Sequence, residues 1–240
     1  MTPDFHSALA RARSPLIAEI KPNSPKVGAL IATRSVAAIA EDYRRAGVPC
    51  LSVTTGQWHG GRLEMIGEMR QTGLPVLRKD FITTQRDLEI SKDAGASAVL
   101  LTCKLMRRKD VLRLANLALG LGLTPFVEVA NARELDGLAL PENAILAINN
   151  RDIALKETDD GGMDQSLALY GLARQGHRGL LVSASGLLCP GDVAAIRCAG
   201  FDGVLVGTAL LNGPHSPYET TCAFVGAALQ QQILFKKAYS

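Results

Sequence analysis

Long apolar runs are missing from this chain. Although 47% of its residues are apolar, no stretch approaches the roughly 18 uninterrupted apolar residues that a membrane span takes. Met1 to Ser14 lack the apolar centre of a secretory signal. Cysteine is scarce and scattered: Cys50, Cys103, Cys189, Cys198 and Cys222 are odd in number and form no CxxC pair or Cys/His cluster, which argues against a disulfide framework and against zinc. The four histidines, His6, His59, His177 and His215, are equally dispersed, and no HExxH or paired-carboxylate motif accompanies them. No metal is expected. Charge of one sign is lacking too, since 26 Lys and Arg stand against 23 Asp and Glu for a formal +3. So even a balance is no footprint for nucleic acid or a membrane surface, though it is compatible with a small anionic ligand. The expectation is a cytoplasmic protein, a monomer or weak homo-oligomer, whose partner is a small molecule.

What the 240 residues do have is repetition. Short apolar, β-branched runs recur at Leu16–Ile20, Cys50–Thr54, Pro75–Leu77, Ala98–Thr102, Thr124–Val129, Ile145–Ile148, Gly179–Ser183 and Gly203–Val206. Such runs are what parallel strands buried on both faces require. Between them the spacing predicts helices over Ser35–Ala46, Leu63–Gln71, Thr84–Ala94, Arg108–Leu119, Ala132–Leu138, Asp164–Arg174 and Pro190–Ala199. Three of these stop at Ala-Gly, at Ala46-Gly47, Ala94-Gly95 and Ala199-Gly200. Eight βα units in a chain of this length predict a single α/β domain, a closed (β/α)8 TIM barrel over 1–240 with a short N-terminal lead over 1–14. A doubly wound open sheet is the alternative for the same alternation. A last helix near Pro217 to Phe235 closes the barrel, and the polar loop Lys156 to Gly162 turns on the surface.

In such barrels chemistry sits at the C-terminal ends of strands, so a charged residue that closes an apolar run is the signal. The first strand closes with Glu19 and Lys21, alternate residues that share a face. The third runs into Arg78-Lys79-Asp80, the fifth ends in Glu128, and the sixth in Asn149-Asn150-Arg151-Asp152. Two lysines and two glutamates on one rim give an acid and a base to work together. The last two strands end on small residues, Ser183-Ala184-Ser185-Gly186 and Gly207-Thr208, where backbone N–H groups can approach a phosphate. The segment Pro22-Asn23-Ser24-Pro25-Lys26-Val27-Gly28 is either a lid with a cation for the same phosphate or a rigid turn.

In order and spacing, Ala18-Glu19-Ile20-Lys21 with Ser24-Pro25, Pro75-Val76-Leu77-Arg78-Lys79-Asp80-Phe81, Val127-Glu128-Val129, Ile148-Asn149-Asn150-Arg151-Asp152, Ser183-Ala184-Ser185-Gly186 and Leu205-Val206-Gly207 resemble the indole-3-glycerol phosphate synthase family. The resemblance implies a carboxy-lyase of tryptophan biosynthesis, working without metal or cofactor. Its substrate would be the phosphorylated arylamino sugar 1-(2-carboxyphenylamino)-1-deoxyribulose 5-phosphate, closed to an indole with loss of carbon dioxide and water. By the resemblance Lys79 is the general acid at the ribulose carbonyl and Glu128 the acid/base for dehydration. Lys21 orients the substrate carboxylate, Glu19 accompanies it, and Asn149 holds a substrate hydroxyl or amine. Ser24, Arg151, Ser185, Gly186, Gly207 and Thr208 match positions around phosphate, and Phe81 and Leu100 match positions that pack on the aromatic ring.

Four features depart from the family pattern. Ala184 stands where the family motif has glutamate, which predicts a missing carboxylate and room for a ring substituent at the mouth of the seventh strand. The lid has Lys26 then Val27, with the cation displaced by one residue, and Trp58-His59-Gly60-Gly61 replaces a more typical aromatic pair. The lead before the first strand is shorter than the family's usual extension. A specialised paralogue fits these departures, and so does a non-catalytic phosphate-ligand-binding barrel or partner subunit of the same descent.

Overall fold

The computed structural model describes residues 4–151 and 162–229. Its strands are β1 (Leu16–Ile20), β2 (Cys50–Thr54), β3 (Val76–Lys79), β4 (Ala98–Thr102), β5 (Thr124–Val129), β6 (Ile145–Asn149), β7 (Leu181–Ala184) and β8 (Gly203–Val206). They pair in parallel with their sequence neighbours, and β8 pairs with β1 to close the barrel. The doubly wound alternative is excluded by that closure.

Strand alternation splits the core in two. Ile17, Cys50, Leu77, Ala98, Leu100, Phe126, Ile145, Ala147, Val182, Ala184 and Leu205 point inward and form one apolar cluster. Their neighbours along each strand, such as Leu16, Leu51, Val76, Val99, Val127, Leu146, Leu181 and Val204, face outward against the helices in a second cluster. A strand buried on both faces has no polar side to show, which is why these runs read as continuously apolar.

The helices are α1 (Phe5–Ala10), α2 (Val36–Ala46), α3 (Met65–Arg70), α4 (Gln85–Asp93), α5 (Arg108–Gly120), α6 (Ala132–Leu135), α7 (Asp164–Gly176), α8 (Pro190–Cys198), α9 (Thr208–Leu211) and α10 (Pro217–Leu229). Local chemistry sets several boundaries. Ser35 Oγ accepts from the Ala38 N–H at 3.1 Å to start α2, which ends on Gly47 at φ 91°. A capping box of Thr84 and Asp87 starts α4, and Pro190 opens α8.

Four boundaries depart from the sequence expectation. The predicted lead contains α1, whose Phe5 and Leu9 are fully buried in the inner cluster and plug the end of the barrel opposite the strand C-termini. Each contributes on the order of 2 kcal/mol of apolar burial. β3 runs on to Lys79, and β7 is shifted to Leu181–Ala184. Helix α6 stops at Leu135, three residues short of Leu138, just before a left-handed Gly137 at φ 61°. The predicted end of the last helix beyond Leu229, and the loop 156–161 with Asp152, lie outside the described residues.

Candidate active site

The inward alternation that builds the core continues past it and turns polar. On β1 the series runs Ile17, Glu19 and, just past its end, Lys21; on β2 Cys50, Ser52, Thr54; on β3 Leu77, Lys79; on β5 Phe126, Glu128; on β6 Ala147, Asn149 and, two residues past its end, Arg151. Each ionisable side chain therefore enters the barrel mouth without breaking its strand. All are withdrawn from water: Glu19, Lys21, Glu128 and Asn149 are at most 4% exposed, and the Lys79 side chain 10%.

Charges so placed need partners. Lys79 Nζ lies 3.9 Å from Glu19 Oε2, and the Ser52 hydroxyl donates to that same oxygen at 3.1 Å. The Asn149 amide donates to Glu128 Oε1 at 3.0 Å, while its carbonyl oxygen accepts from the Arg151 backbone N–H at 2.9 Å. That second bond fixes which end of the amide faces the carboxylate. From outside the barrel the buried Tyr43 hydroxyl donates to the Glu19 carbonyl at 3.3 Å, pinning the end of β1 to α2; burial pushes its own pKa well above the usual tyrosine value.

Residues one step along the chain face away and serve as braces. Arg78 donates to Thr55 Oγ1 at 3.2 Å, Ser91 Oγ at 3.0 Å and Asp80 Oδ2 at 3.0 Å, tying the end of β3 to β2 and α4. Of the string Arg78-Lys79-Asp80, Lys79 is the inward member. Asn150 likewise donates to Ser183 Oγ at 3.0 Å, to the Ala184 carbonyl at 3.2 Å and to the Ser185 carbonyl at 3.0 Å, and accepts from the Ser166 N–H at 2.9 Å. It clamps a loop in which both Ser185 (φ 65°) and Gly186 (φ 72°) are left-handed. A non-glycine residue in that region costs free energy and persists where its surroundings impose it.

Of the cavities that open at this mouth, two take in the Glu19–Lys79 pair. The first is lined by Glu19, Lys21, Arg151, Ser185, Gly186, Gly207 and Thr208 among others. Its small residues are required by sterics, because a Cβ on Gly186 would come 2.6 Å from the Gly162 carbonyl oxygen and one on Gly207 2.9 Å from Glu19 Oε1. The second is lined by Thr54, Trp58, His59, Lys79, Asp80, Phe81, Leu100, Glu128 and Asn149. Glu19 belongs to the first and Lys79 to the second, so their 3.9 Å contact joins the two.

Of the residues singled out in the sequence, Ser24 stands apart. It is buried in a small hairpin, Asn23–Ser24 against Gly28–Ala29, and lines neither cavity; Lys26, exposed in the same hairpin, lines neither as well. Ala184 is wholly buried in the inner cluster and lines neither, so the room expected beside it is not part of either opening. Ser52 and Thr54 went unnoticed in the sequence. Their signal is the strand alternation from Cys50, which places two small hydroxyls on the inner face.

The fold and this mouth define a (β/α)8 barrel whose ionisable cluster and small-residue loops converge at the C-terminal end of the strands, the place where barrels of this class carry out their chemistry. A sequence profile described as indole-3-glycerol phosphate synthase matches residues 2–220. Indole-3-glycerol phosphate synthase from Thermococcus kodakarensis is 37% identical over 205 residues, covering 84% of this chain and 88% of that protein. The one from Pyrococcus abyssi is 36% identical over 220 residues, covering 90% and 93%. The chain belongs to the indole-3-glycerol phosphate synthase family. Among solved structures, a tryptophan synthase alpha subunit from Legionella pneumophila superposes with a TM-score of 0.62 at 17% identity over 90% of this chain and 91% of that one, a likeness of fold.

Proposed function

We propose that this chain catalyses the decarboxylating, dehydrating ring closure of 1-(2-carboxyphenylamino)-1-deoxyribulose 5-phosphate or a close analogue. The observation that carries the reading is the junction of the two cavities: a lysine and a glutamate stand on the inner wall of one, and the lysine is held by a carboxylate that lines the other. The phosphate occupies the first cavity, against the Ser185-Gly186 and Gly207-Thr208 backbone with Arg151 beside it. The aryl ring occupies the second, between Phe81 and Leu100.

The reaction asks for an acid where the carbonyl oxygen gains a proton, and then for an acid and a base as water leaves. Lys79 delivers the first proton as the aryl carbon bearing the carboxylate attacks the ribulose carbonyl carbon. The new carbon–carbon bond forms, carbon dioxide departs with its bonding pair returned to the ring, and the carbonyl oxygen becomes a hydroxyl. Lys21 holds the carboxylate before it leaves. Glu128, oriented by Asn149, then serves the departure of that hydroxyl as water and the removal of the neighbouring carbon's proton. Glu19 keeps Lys79 aimed.

The test is indole formation from the synthetic substrate, followed by absorbance and fluorescence. Turnover that Lys79→Met lowers by a factor on the order of a hundred or more is the expected result. A parent protein that binds the substrate and never releases an indole is instead the non-catalytic member of the family.

A further inference from the structure

Resting on the reading just given, the aryl end of the site holds a polar feature that ring closure does not use. Thr54 is 2% exposed, faces the second cavity from the last inward position of β2, and its hydroxyl has no hydrogen-bond partner among the described residues. A buried hydroxyl without a partner destabilises the free protein, and is accounted for where a ligand completes it. His59, also 2% exposed, lines the same cavity. Its Nδ1 is 3.1 Å from the Asn23 carbonyl oxygen, which places the ring proton on Nδ1 and makes Nε2 an acceptor type in the neutral ring. The apolar side of the cavity is the offset stack of Trp58 on Phe81, 5.7 Å between centroids and 8° between planes, with both rings partly open to solvent. Trp58 also lies against the His59 ring, 3.6 Å between centroids and 32° between planes, so the imidazole belongs to the aromatic side of the cavity and Thr54 adds a hydroxyl to its lining.

We infer that the aryl group this site takes carries a ring hydroxyl, which meets the Thr54 hydroxyl in the cavity. A bare ring fills the aromatic side and leaves the Thr54 hydroxyl without a partner; a hydroxylated ring satisfies it. Because discrimination by a buried hydrogen bond falls on the ligand that lacks it, the site favours the hydroxylated ring over the plain one. Trp58 and Phe81, half exposed, give way as the ring enters.

The probes are the arylamino-ribitol 5-phosphates, in which the carbonyl is reduced so that no ring can close, made with a plain ring and with a hydroxyl at each open ring position. Affinity is measured by titration calorimetry. One hydroxylated isomer is expected to bind the parent about tenfold or more tighter than the plain analogue. In Thr54→Val that ratio falls to about one, and Thr54→Ser restores it. Equal or weaker binding of every hydroxylated isomer by the parent overturns the inference and leaves the ring-closing function standing, as does an unchanged ratio in Thr54→Val. If none of the analogues binds, the plain one included, the arylamino-sugar reading of the site fails and the inference with it.

Discussion

Lys79 Nζ stands 3.9 Å from Glu19 Oε2, and the Ser52 hydroxyl holds that carboxylate oxygen from the next strand at 3.1 Å. The lysine is thereby aimed from behind, with its partner already engaged by a neutral donor that keeps the carboxylate from swinging away. Removing the ammonium removes the proposed acid and leaves the cavity shape nearly intact. Lys79→Met is expected to lower kcat by a factor on the order of a hundred or more while KM moves much less, as for loss of a general acid. Near-parental kcat in steady-state assays of indole formation would make Lys79 a structural rim residue.

Gly207 and Gly186 separate two effects that most substitutions mix. A Cβ at Gly207 would press on Glu19 Oε1 at 2.9 Å, and so reaches the Glu19–Lys79 pair as well as the phosphate wall. At Gly186 it would meet the Gly162 backbone at 2.6 Å, in a residue already left-handed at φ 72°. Gly207→Ala is expected to lower kcat by about tenfold as well as raise KM, because a displaced catalytic partner acts in the transition state. Gly186→Ala is expected to raise KM and weaken inorganic phosphate inhibition, with kcat the less affected. The same kcat-to-KM pattern in both variants would remove the distinction between a phosphate wall and a wall shared with the acid.

Much of this was legible in the sequence because strand alternation is a strict rule. Glu19 and Lys21 two residues apart, Glu128 two after Phe126 and Asn149 two after Ala147 had to share the inward face once the strands were placed. Tertiary circumstances were not legible. Six residues of α1 are too few to show a helical period, and that Phe5 and Leu9 fill the barrel depends on what lies above them. The sequence pattern ends the third strand before Lys79 because a charged pair reads as a strand end, whereas at a barrel mouth an inward charge continues the strand. Ala184 shows the opposite failure. A small residue was read as an opening, but space belongs to the neighbours as well, and here the inner cluster closes over it.

Cysteine chemistry follows burial. Desolvation raises the Cys103 thiol to about 12, with Glu134 and Glu128 adding in the same direction, and raises Cys50, buried against the α1 plug, further still. Cys189 and Cys198 are exposed. Since the thiolate is the nucleophile, iodoacetamide at about pH 8 is expected to alkylate the native protein at Cys189 and Cys198 and to spare Cys50 and Cys103 until the chain unfolds. Peptide mass mapping of natively labelled protein reads this directly. Rapid labelling of Cys50 in the native state would show that the α1 plug leaves the barrel in solution.

His177 is expected to make the folded barrel sensitive to acid. It is 3% exposed at the end of α7, with Nε2 3.1 Å from the Ala144 carbonyl oxygen. Burial, the largest influence, holds its pKa below the usual histidine value against the raising effects of the Ala144 carbonyl and Asp202, and Arg174 and His6 push the same way as burial. A histidine whose pKa is depressed on folding binds its proton more readily in the unfolded chain. Its contribution to stability is therefore fully present above the unfolded value of about 6.5, and is lost as pH falls from there towards the lower folded value. Other groups add their own slopes, so the informative quantity is a difference between two proteins. The midpoint of thermal unfolding is expected to drop between about pH 7.5 and 5.5, and His177→Gln, which keeps a donor for the Ala144 carbonyl without a proton to gain, should drop less over the same interval. The variant is expected to start lower at the upper pH, from imperfect packing, and to close the gap on the parent as pH falls. Parallel curves for the two proteins would assign the acid sensitivity to other groups.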